Sequence, residues 1–300
     1  MIFNGPSQII NPLARERRCG FGGGVGGGGG GFTGPLDSLS TGIFAAISSR
    51  RLFSSFAGSP MNLRIQPGAT VADIPFSSDF TDVDSTARTA LLGSSDGRIV
   101  TAYDQTGLGS RDFTQGTAVW QPTVKYSGSV DTVNSKQAFR GDTTGAGSMW
   151  LACPSVAHGI GTGDFMFSLI IKRGTLNTAG RALASIGTLS PAVYTRAFGP
   201  APEFYIGGGP RAFNTTLSLN TVYVLTFTRE SGTLKCYING TAEATTHADT
   251  TNIPTSTLQI LSEGTAGSAA SDDSILEAIF ATSVANRAAI IANQRTYAGV

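Results

Sequence analysis

The glutamates are the residues from which an acid–base site could be built. Glycoside hydrolysis needs two carboxyl groups flanking the scissile bond, roughly 5 Å or 6.5–9.5 Å apart. Glu277 lies between Leu276 and Ala278 in the last predicted strand, an unusual place for a charge, so we expect it to face a cleft or to pair with an arginine. The glutamates are Glu16, Glu203, Glu230, Glu243, Glu263 and Glu277, and the arginines considered are Arg173, Arg181 and Arg295.

Two aspartates could complete a carboxyl pair with Glu277. They are Asp104, which follows a predicted strand, and Asp164, which precedes one. Nothing else around them identifies a catalytic pair. We therefore predict no catalytic residue and a protein that is not an enzyme, and keep glycoside hydrolysis as the alternative.

Histidines and cysteines add no further catalytic or metal chemistry. His158 and His247 are the only histidines, and both are predicted to be surface loop residues and not the base of a triad. Cys19, Cys153 and Cys236 are odd in number and lack zinc-ligand spacing, so we expect three free thiols in a protein made in a reducing cytoplasm. No cofactor is predicted.

Composition narrows the class of protein further. Hydrophobic residues make up 40% of the 300 residues and charged residues 14%, and the formal net charge is +1. This balance is typical of a β-rich globular protein and argues against nucleic-acid binding. With no run of about 18 apolar residues we expect no membrane insertion, and the first residues do not form a secretory signal.

The N-terminal segment, residues 1–38, differs in composition from the rest. Ten of the twelve residues in Gly20–Gly31 are glycine, which makes ordering costly. A basic cluster, Arg15, Arg17 and Arg18, precedes them. We predict an extended anchor held by a partner protein; packing of the segment on its own domain is the alternative.

From residue 39 to residue 300 the chain is predicted to form one all-β domain, in which 39–124 is an N-terminal block and 125–300 the main sandwich. Short segments rich in β-branched and aromatic residues recur between turn signals, as in sandwiches and jelly rolls. A four-residue connection, Arg229–Gly232, joins two of them, and Asn239-Gly240 starts a further arm. The predicted strands are Met61–Ile65, Arg98–Tyr103, Phe165–Lys172, Leu183–Gly187, Val193–Phe198, Val222–Thr228, Thr233–Asn239, Thr241–Thr246, Leu258–Leu261 and Ile275–Phe280.

Three short helices are predicted beside the strands. Ser40 or Thr41 can cap a helix that carries Ile43, Phe44 and Ile47. Asp84 can cap a second, which ends at Gly93. Ser283 can cap the last, with Val284, Ala288, Ile291 and Arg295 along one face.

The C-terminal half resembles the laminin-G and concanavalin A-like superfamily. The resemblance rests on Phe165–Arg173, on Val222–Gly240 with its Tyr-Ile-Asn-Gly ending, and on Ile275–Phe280 followed by a helix. It implies an antiparallel sandwich of the lectin type. It also makes Asp272 and Asp273, in a Ser/Gly-rich loop, candidate calcium ligands, although a solvated loop is the preferred interpretation.

The upstream block is similar to a module of family 54 arabinofuranosidases and of many phage-encoded structural proteins. The matching residues are Ala46–Gly58, Asp73-Ile74, Gly97, Gln121-Pro122 and the motif Tyr103, Asp104, Gln105, Thr106, Gly107, Leu108 and Gly109. Ala102 stands where the family usually has Trp, and the family's Cys-Cys motif is missing. We interpret the motif as a structural loop lock and transfer no catalytic residue.

These resemblances predict a phage virion protein as the first hypothesis. It would be made in the host cytoplasm, bind other virion proteins through residues 1–38, form a homo-oligomer, and display a lectin-like domain that binds host-surface glycan or decorates the particle. A glycoside hydrolase and a ligand-free assembly subunit are the alternatives. The expected carbohydrate contacts come from Trp120, Trp150, Tyr194, Tyr205 and Asn214.

Overall fold

The protein was analysed as a computed structural model, which describes residues 32–108, 111–141, 149–156, 158–174, 181–186, 192–195, 201–261 and 271–300. Thr33–Val300 form one compact unit. The predicted anchor residues Arg15, Arg17 and Arg18 lie outside the described residues, as do Glu263 and the motif residue Gly109.

Strands dominate the described chain. The first eleven are β1 (Ile43–Ser48), β2 (Met61–Gln66), β3 (Val71–Ile74), β4 (Asp96–Ala102), β5 (Phe113–Thr114), β6 (Thr123–Tyr126), β7 (Ser129–Val130), β8 (Thr132–Val133), β9 (Lys136–Gln137), β10 (Phe139–Arg140) and β11 (Leu151–Val156). The other eleven are β12 (Phe165–Lys172), β13 (Arg181–Ile186), β14 (Ala192–Thr195), β15 (Pro202–Ile206), β16 (Gly209–Ala212), β17 (Val222–Glu230), β18 (Thr233–Ile238), β19 (Thr241–Ala242), β20 (His247–Ala248), β21 (Ser256–Ile260) and β22 (Ser274–Ala281). The α-helices are α1 (Ser85–Leu92) and α2 (Arg287–Ala298).

The strands form an antiparallel β-sandwich, as predicted. The first layer runs β1–β22–β12–β17–β18, so that Phe165–Lys172 is a central strand. The second layer runs β5–β11–β21–β13–β14–β15–β16. Strands β2, β3, β4 and β6 continue the hydrogen bonding at one side, where β4 pairs with β5.

Aromatic side chains fill the space between the layers. Phe165 and Phe167 of the first layer contact Phe204 of the second, with ring centroids 5.6 and 6.3 Å apart. Phe280 stacks on Phe113 at 5.9 Å. These rings are all buried, and aromatic pairs at such distances stabilise a core beyond the area they bury.

The outer face of the first layer packs against helix α2. Ile170, Val224 and Leu276 of the sheet form an apolar cluster with Ile291 and Tyr297 of the helix. The layer is therefore buried on both faces. This explains why β12 carries apolar residues on both sides and shows no simple alternation.

Helix α1 follows the prediction, whereas the predicted helix after Ser40 is wrong. Asp84 caps α1 by accepting hydrogen bonds from the backbone N–H groups of Thr86 and Ala87, at 2.8 and 3.0 Å. The segment Ile43–Ser48 instead forms strand β1 against β22. It is buried on both faces, so its apolar residues do not alternate and mimic a short helical pattern.

Other boundaries differ from the prediction for local reasons. Glu230 pairs with Thr233, so Ser231 and Gly232, both at positive φ, form a two-residue turn and not a four-residue connection. The predicted arm Thr241–Thr246 forms a strand only at Thr241–Ala242.

The last helix starts later than the prediction. Asn286 is its N-cap, and Ser283 lies before it, accepting a hydrogen bond from the backbone N–H of Ala285 at 3.2 Å. Ala288 and Arg295 are exposed, and the helix buries Ile290, Ile291, Gln294, Tyr297 and Ala298.

Candidate functional site

The outer face of the second layer carries polar side chains between inward-pointing core residues. In β21, Leu258 and Ile260 point into the core, so Gln259 between them faces outward. In β15, Phe204 and Ile206 point inward and leave Glu203 and Tyr205 on the outer side. The term polar face is used below for the outward positions Ala152, Ala182, Ser185, Glu203, Tyr205 and Gln259.

Strand register aligns four of these positions, Ala152, Ser185, Tyr205 and Gln259, in a row across the sheet. Directly paired residues of antiparallel strands share a face. The pairs run in the order Thr114–Ala152–Gln259–Ser185–Ala192–Tyr205–Pro210. Neighbouring strands lie about 4.8 Å apart, so the row is roughly 29 Å long. Three of its seven positions, Ala152, Ser185 and Ala192, are small residues.

The polar side chains of this face are withdrawn from bulk solvent. Ser185, Glu203 and Gln259 are 0%, 6% and 7% exposed, and Tyr205 is half-buried. They offer a hydroxyl, a carboxyl, an amide and a phenol, which together can donate and accept hydrogen bonds. Each of the four also takes part in interactions within the protein.

Three of the predicted carbohydrate contacts lie on or beside the polar face. Tyr205 is part of it, and its hydroxyl donates to the Gly208 carbonyl at 3.2 Å. Trp150 comes two residues before Ala152 at the start of β11. The Trp150 backbone N–H donates to the Trp120 carbonyl at 3.0 Å, so the two tryptophans, both half-buried, are neighbours.

The other two predicted contacts are placed differently. Tyr194 pairs with Glu203 in the register of β14 and β15, and its side chain lies outside the described part. Asn214 is exposed in the loop after β16. There its Nδ2 donates a hydrogen bond to the Thr245 hydroxyl at 2.6 Å, and its backbone N–H donates to the Glu243 carboxylate at 3.0 Å. Asn214 therefore belongs to a loop cluster and not to the row.

The Tyr103–Gly107 motif holds the end of β4 to the chain around β1. Gln105 accepts a hydrogen bond from the Leu52 N–H at 2.8 Å and donates from Nε2 to the carbonyls of Ser48 and Arg50, each at 3.0 Å. Asp104 accepts from the Ala46 N–H at 2.8 Å. In these contacts the side chains of Asp104 and Gln105 form hydrogen bonds with backbone groups in and just after β1.

Three further details complete the motif. Thr106 donates to Asp104 at 2.5 Å, and Gly107 has a φ of +72°. The Tyr103 hydroxyl donates to Asp73 at 2.7 Å, which ties the motif to β3. Burial raises the pKa of Asp104, while its bonds from Thr106 and Ala46 oppose that shift.

Glu277 is a structural residue beneath helix α2. It is fully buried and binds Arg50 through two hydrogen bonds, at 2.8 and 3.1 Å. The prediction of an arginine partner holds, but the partner is Arg50 and none of the three arginines considered. Asp164 accepts from the backbone N–H of Ser231 at 2.7 Å. Neither residue belongs to the polar face.

His158 is buried, so its predicted surface position is wrong. Its Nδ1 accepts from the Ile160 N–H at 3.2 Å, its Nε2 bonds to the Pro254 carbonyl at 3.0 Å, and its ring lies 5.9 Å from that of Phe44. Burial lowers its pKa, and the bond to Pro254 opposes that shift. His247 is partly exposed and bonds to the Ala212 carbonyl at 3.0 Å.

The candidate calcium ligands, Asp272 and Asp273, contact other groups of the protein. Asp273 accepts hydrogen bonds from the Gly174 N–H at 2.6 Å and from the Ser271 hydroxyl at 2.5 Å. Asp272 packs so closely on Gly174 that a Cβ there would lie 2.3 Å from its carboxyl group. Within the described ranges, no group of three or more His, Cys, Asp or Glu side chains is arranged to hold a metal ion.

The comparisons with known proteins show the fold. No family model and no curated protein matches the chain. An arabinofuranosidase complexed with arabinofuranosyl-alpha-1,2-xylobiose is 12% identical, with a TM-score of 0.68 over 89% of this chain and 65% of that one. A GH54 α-L-arabinofuranosidase soaked with a cyclic sulfate inhibitor is 14% identical, with a TM-score of 0.64 over 88% and 65%. This chain thus spans about 65% of the length of those chains, and shares their β-sandwich fold.

Residues that the sequence analysis did not select make up much of the polar face. Gln259, Ser185 and Glu203 each stand between two buried residues of one strand, as in Leu258-Gln259-Ile260. This two-residue period was the available signal.

No helix among the described residues is long and apolar enough to span a membrane.

Proposed function

We propose that this protein binds a carbohydrate chain along the polar face of its second layer. The observation that carries the proposal is the row of small and polar residues from Thr114 to Pro210. The row is roughly 29 Å long, at about 4.8 Å per strand, and so has the length of several sugar units rather than of a single small molecule.

The chemistry of the face suits sugar hydroxyls. A carboxyl group, an amide and a hydroxyl lie on this face at Glu203, Gln259 and Ser185, and Tyr205 is the more exposed polar side chain beside them. Aromatic rings with one polar end favour such sites because they pack on the apolar faces of sugars, and we propose this role for Tyr205 on the face and Trp150 beside it. The fold shared with arabinofuranosidases supports the same ligand class.

Binding of glycans by the full chain and by Tyr205→Ala tests the proposal. Arabinan and arabinoxylan oligosaccharides are suitable first probes, because one of the similar structures holds an arabinofuranosyl xylobiose. Binding that depends on Tyr205 supports the proposal. A chain that binds no glycan would instead fit the ligand-free assembly subunit.

Hydrolysis of the bound chain is the second candidate function, and Glu203 is the observation that favours it. A carboxyl group buried on a sugar-binding face meets one of the two requirements of a glycoside hydrolase. Release of reducing ends from the same oligosaccharides, lost in Glu203→Gln, would establish it. Intact oligosaccharides after long incubation with a binding-competent chain would exclude it.

We further propose that residues 1–38 attach the protein to a virion, where the sandwich meets host-surface glycan. The support is the glycine-rich composition of Gly20–Gly31 and its preceding basic cluster. Deletion of residues 1–32, which leaves the compact unit Thr33–Val300 whole, should abolish incorporation into particles without changing glycan binding. Normal incorporation of the truncated chain would contradict the anchor.

A further inference from the structure

A cleft separate from the polar face lies at one end of the first layer. It has a volume of about 220 Å³ and is lined by residues at the ends of β7, β10, β12 and β22 and in the loop before β17. Clefts that hold drug-sized molecules measure roughly 300–1,000 Å³, so this one has room for a single sugar ring or a similar small molecule. Its principal side chains are Asp131, Arg140, Lys172, Asn220, Asp272 and Ser274.

Two cations of this cleft have hydrogen-bonding capacity that the protein does not use. Arg140 approaches Asp131 at 3.4 Å, too far for a good hydrogen bond, and its Nε is buried with no partner. Within the described residues, neither the Arg140 guanidinium nor the Lys172 ammonium makes a side-chain hydrogen bond. A buried donor without a hydrogen-bond acceptor costs free energy, and a bound acceptor can recover that cost.

The charges of the cleft favour a ligand with one negative group and several hydroxyls. Arg140, Lys172 and Arg173 supply three positive charges against two from Asp131 and Asp272, which gives a formal net charge of +1. Guanidinium and ammonium groups together suit a carboxylate. The Asp131 carboxylate can accept hydrogen bonds from hydroxyls, and the Asn220 amide can both donate and accept them.

We infer that this cleft binds an acidic sugar unit, with its carboxylate on Arg140 and Lys172 and its hydroxyls toward Asp131 and Asn220. The site does not depend on the polar face, since none of its lining residues belongs to that face. An acidic polysaccharide would then contact the protein at two places, with a neutral stretch on the polar face and a uronate unit in the cleft.

Calorimetric titration of the full chain with sodium glucuronate, glucose and acetate tests this inference. We expect glucuronate to bind at least tenfold more tightly than glucose or acetate. Lys172→Gln and Arg140→Gln should each weaken glucuronate binding at least tenfold, while Arg295→Gln, an exposed arginine at the end of α2, should leave it unchanged. Tyr205→Ala should also leave it unchanged, which separates this site from the polar face.

Three results would overturn the inference. Acetate or inorganic sulfate binding as tightly as glucuronate would show a general oxyanion site without sugar recognition. Equal affinity for glucose and glucuronate would remove the role of the two cations. Unchanged binding in Lys172→Gln would do the same, and this half-buried surface lysine tests the cleft even where Arg140→Gln reduces the folded fraction.

Discussion

Arg50 and Glu277 form a two-point ion pair beneath helix α2, with Nε–Oε2 and Nη2–Oε1 distances of 2.8 and 3.1 Å. Ser48 donates a further hydrogen bond to Glu277 at 2.9 Å, and the Arg50 guanidinium lies 4.0 Å from the centre of the Tyr297 ring. The pair joins β1, β22 and α2, so it fixes the helix on the outer face of the first layer.

Loss of one partner of this pair should destabilise the protein strongly. Arg50→Met leaves a buried, uncompensated carboxylate, and we expect the free energy of unfolding to fall by about 3–5 kcal/mol. Adding Glu277→Leu should restore part of that loss, because the stranded charge is removed. Urea unfolding of both variants measures the effect, with Arg64→Met, a half-buried arginine of β2, as the control. An Arg50→Met variant as stable as the control would contradict this account.

Gln105→Leu should also lower stability, through the chain around β1. The substitution keeps the approximate volume and removes three side-chain hydrogen bonds to Ser48, Arg50 and Leu52. At about 1 kcal/mol for each bond, the free energy of unfolding should fall by about 3 kcal/mol. Gln66→Leu, at a half-buried position of β2, is the matched control, and equal stability of the two variants would argue against a locking role.

Glu230 should make stability depend on acid pH. Burial opposes ionisation, but hydrogen bonds from Lys235, Arg287 and Thr228 outweigh it and lower the pKa of Glu230 to about 2. Because the folded pKa is below the ordinary value of 4.5, the stabilisation is complete above about pH 4.5. It is lost as the pH falls through about 2.

Glu230→Gln is the variant that measures this contribution. At pH 7 it should be less stable than the wild-type protein by about 1–2 kcal/mol, a figure reduced for partial solvent screening. The difference should shrink between pH 4.5 and pH 2 in urea unfolding experiments. A difference that stays constant over this range would show that ionisation of Glu230 contributes nothing.

The two described cysteines should be unreactive in the folded protein. Cys153 and Cys236 are free and buried, and burial raises the pKa of Cys153 to about 12 and that of Cys236 well above its ordinary value. The thiolate is the reactive form. In a Cys19→Ser variant, a thiol reagent at pH 8 should label neither within minutes and both after unfolding. Rapid labelling of the native variant would mean that the core opens readily.

The sequence predicted the sandwich because its longest strands carry strong local signals. Phe165–Lys172 and the Asn239-Gly240 turn are recognisable without any partner, and Asp84 identifies its helix by capping alone. Strand β1 could not be recognised in this way. Its Ile-Phe-Ala-Ala-Ile run is apolar on both faces because of β22 and the core, which lie far away in sequence.

Both candidate sites depend on strand order, which no local pattern encodes. The pairing of Ala152 with Gln259, and of Gln259 with Ser185, brings together strands that are not adjacent in the chain. In the same way, Glu277 could be expected to pair with an arginine, but its choice of Arg50 follows from the pairing of β1 with β22. Tyr205 was selected for its residue type alone, and the register places it in the row.

The central claim is that the polar face binds carbohydrate, and the affinity of the full chain for arabinan and arabinoxylan oligosaccharides tests it most directly. Tyr205→Ala should weaken binding at least tenfold, while Tyr126→Ala, a half-buried tyrosine of β6 outside the second layer, should bind as the wild-type protein does. Both variants should keep the wild-type melting temperature within a few degrees. Equal binding by the two variants, or no binding by the wild-type chain, would contradict the claim.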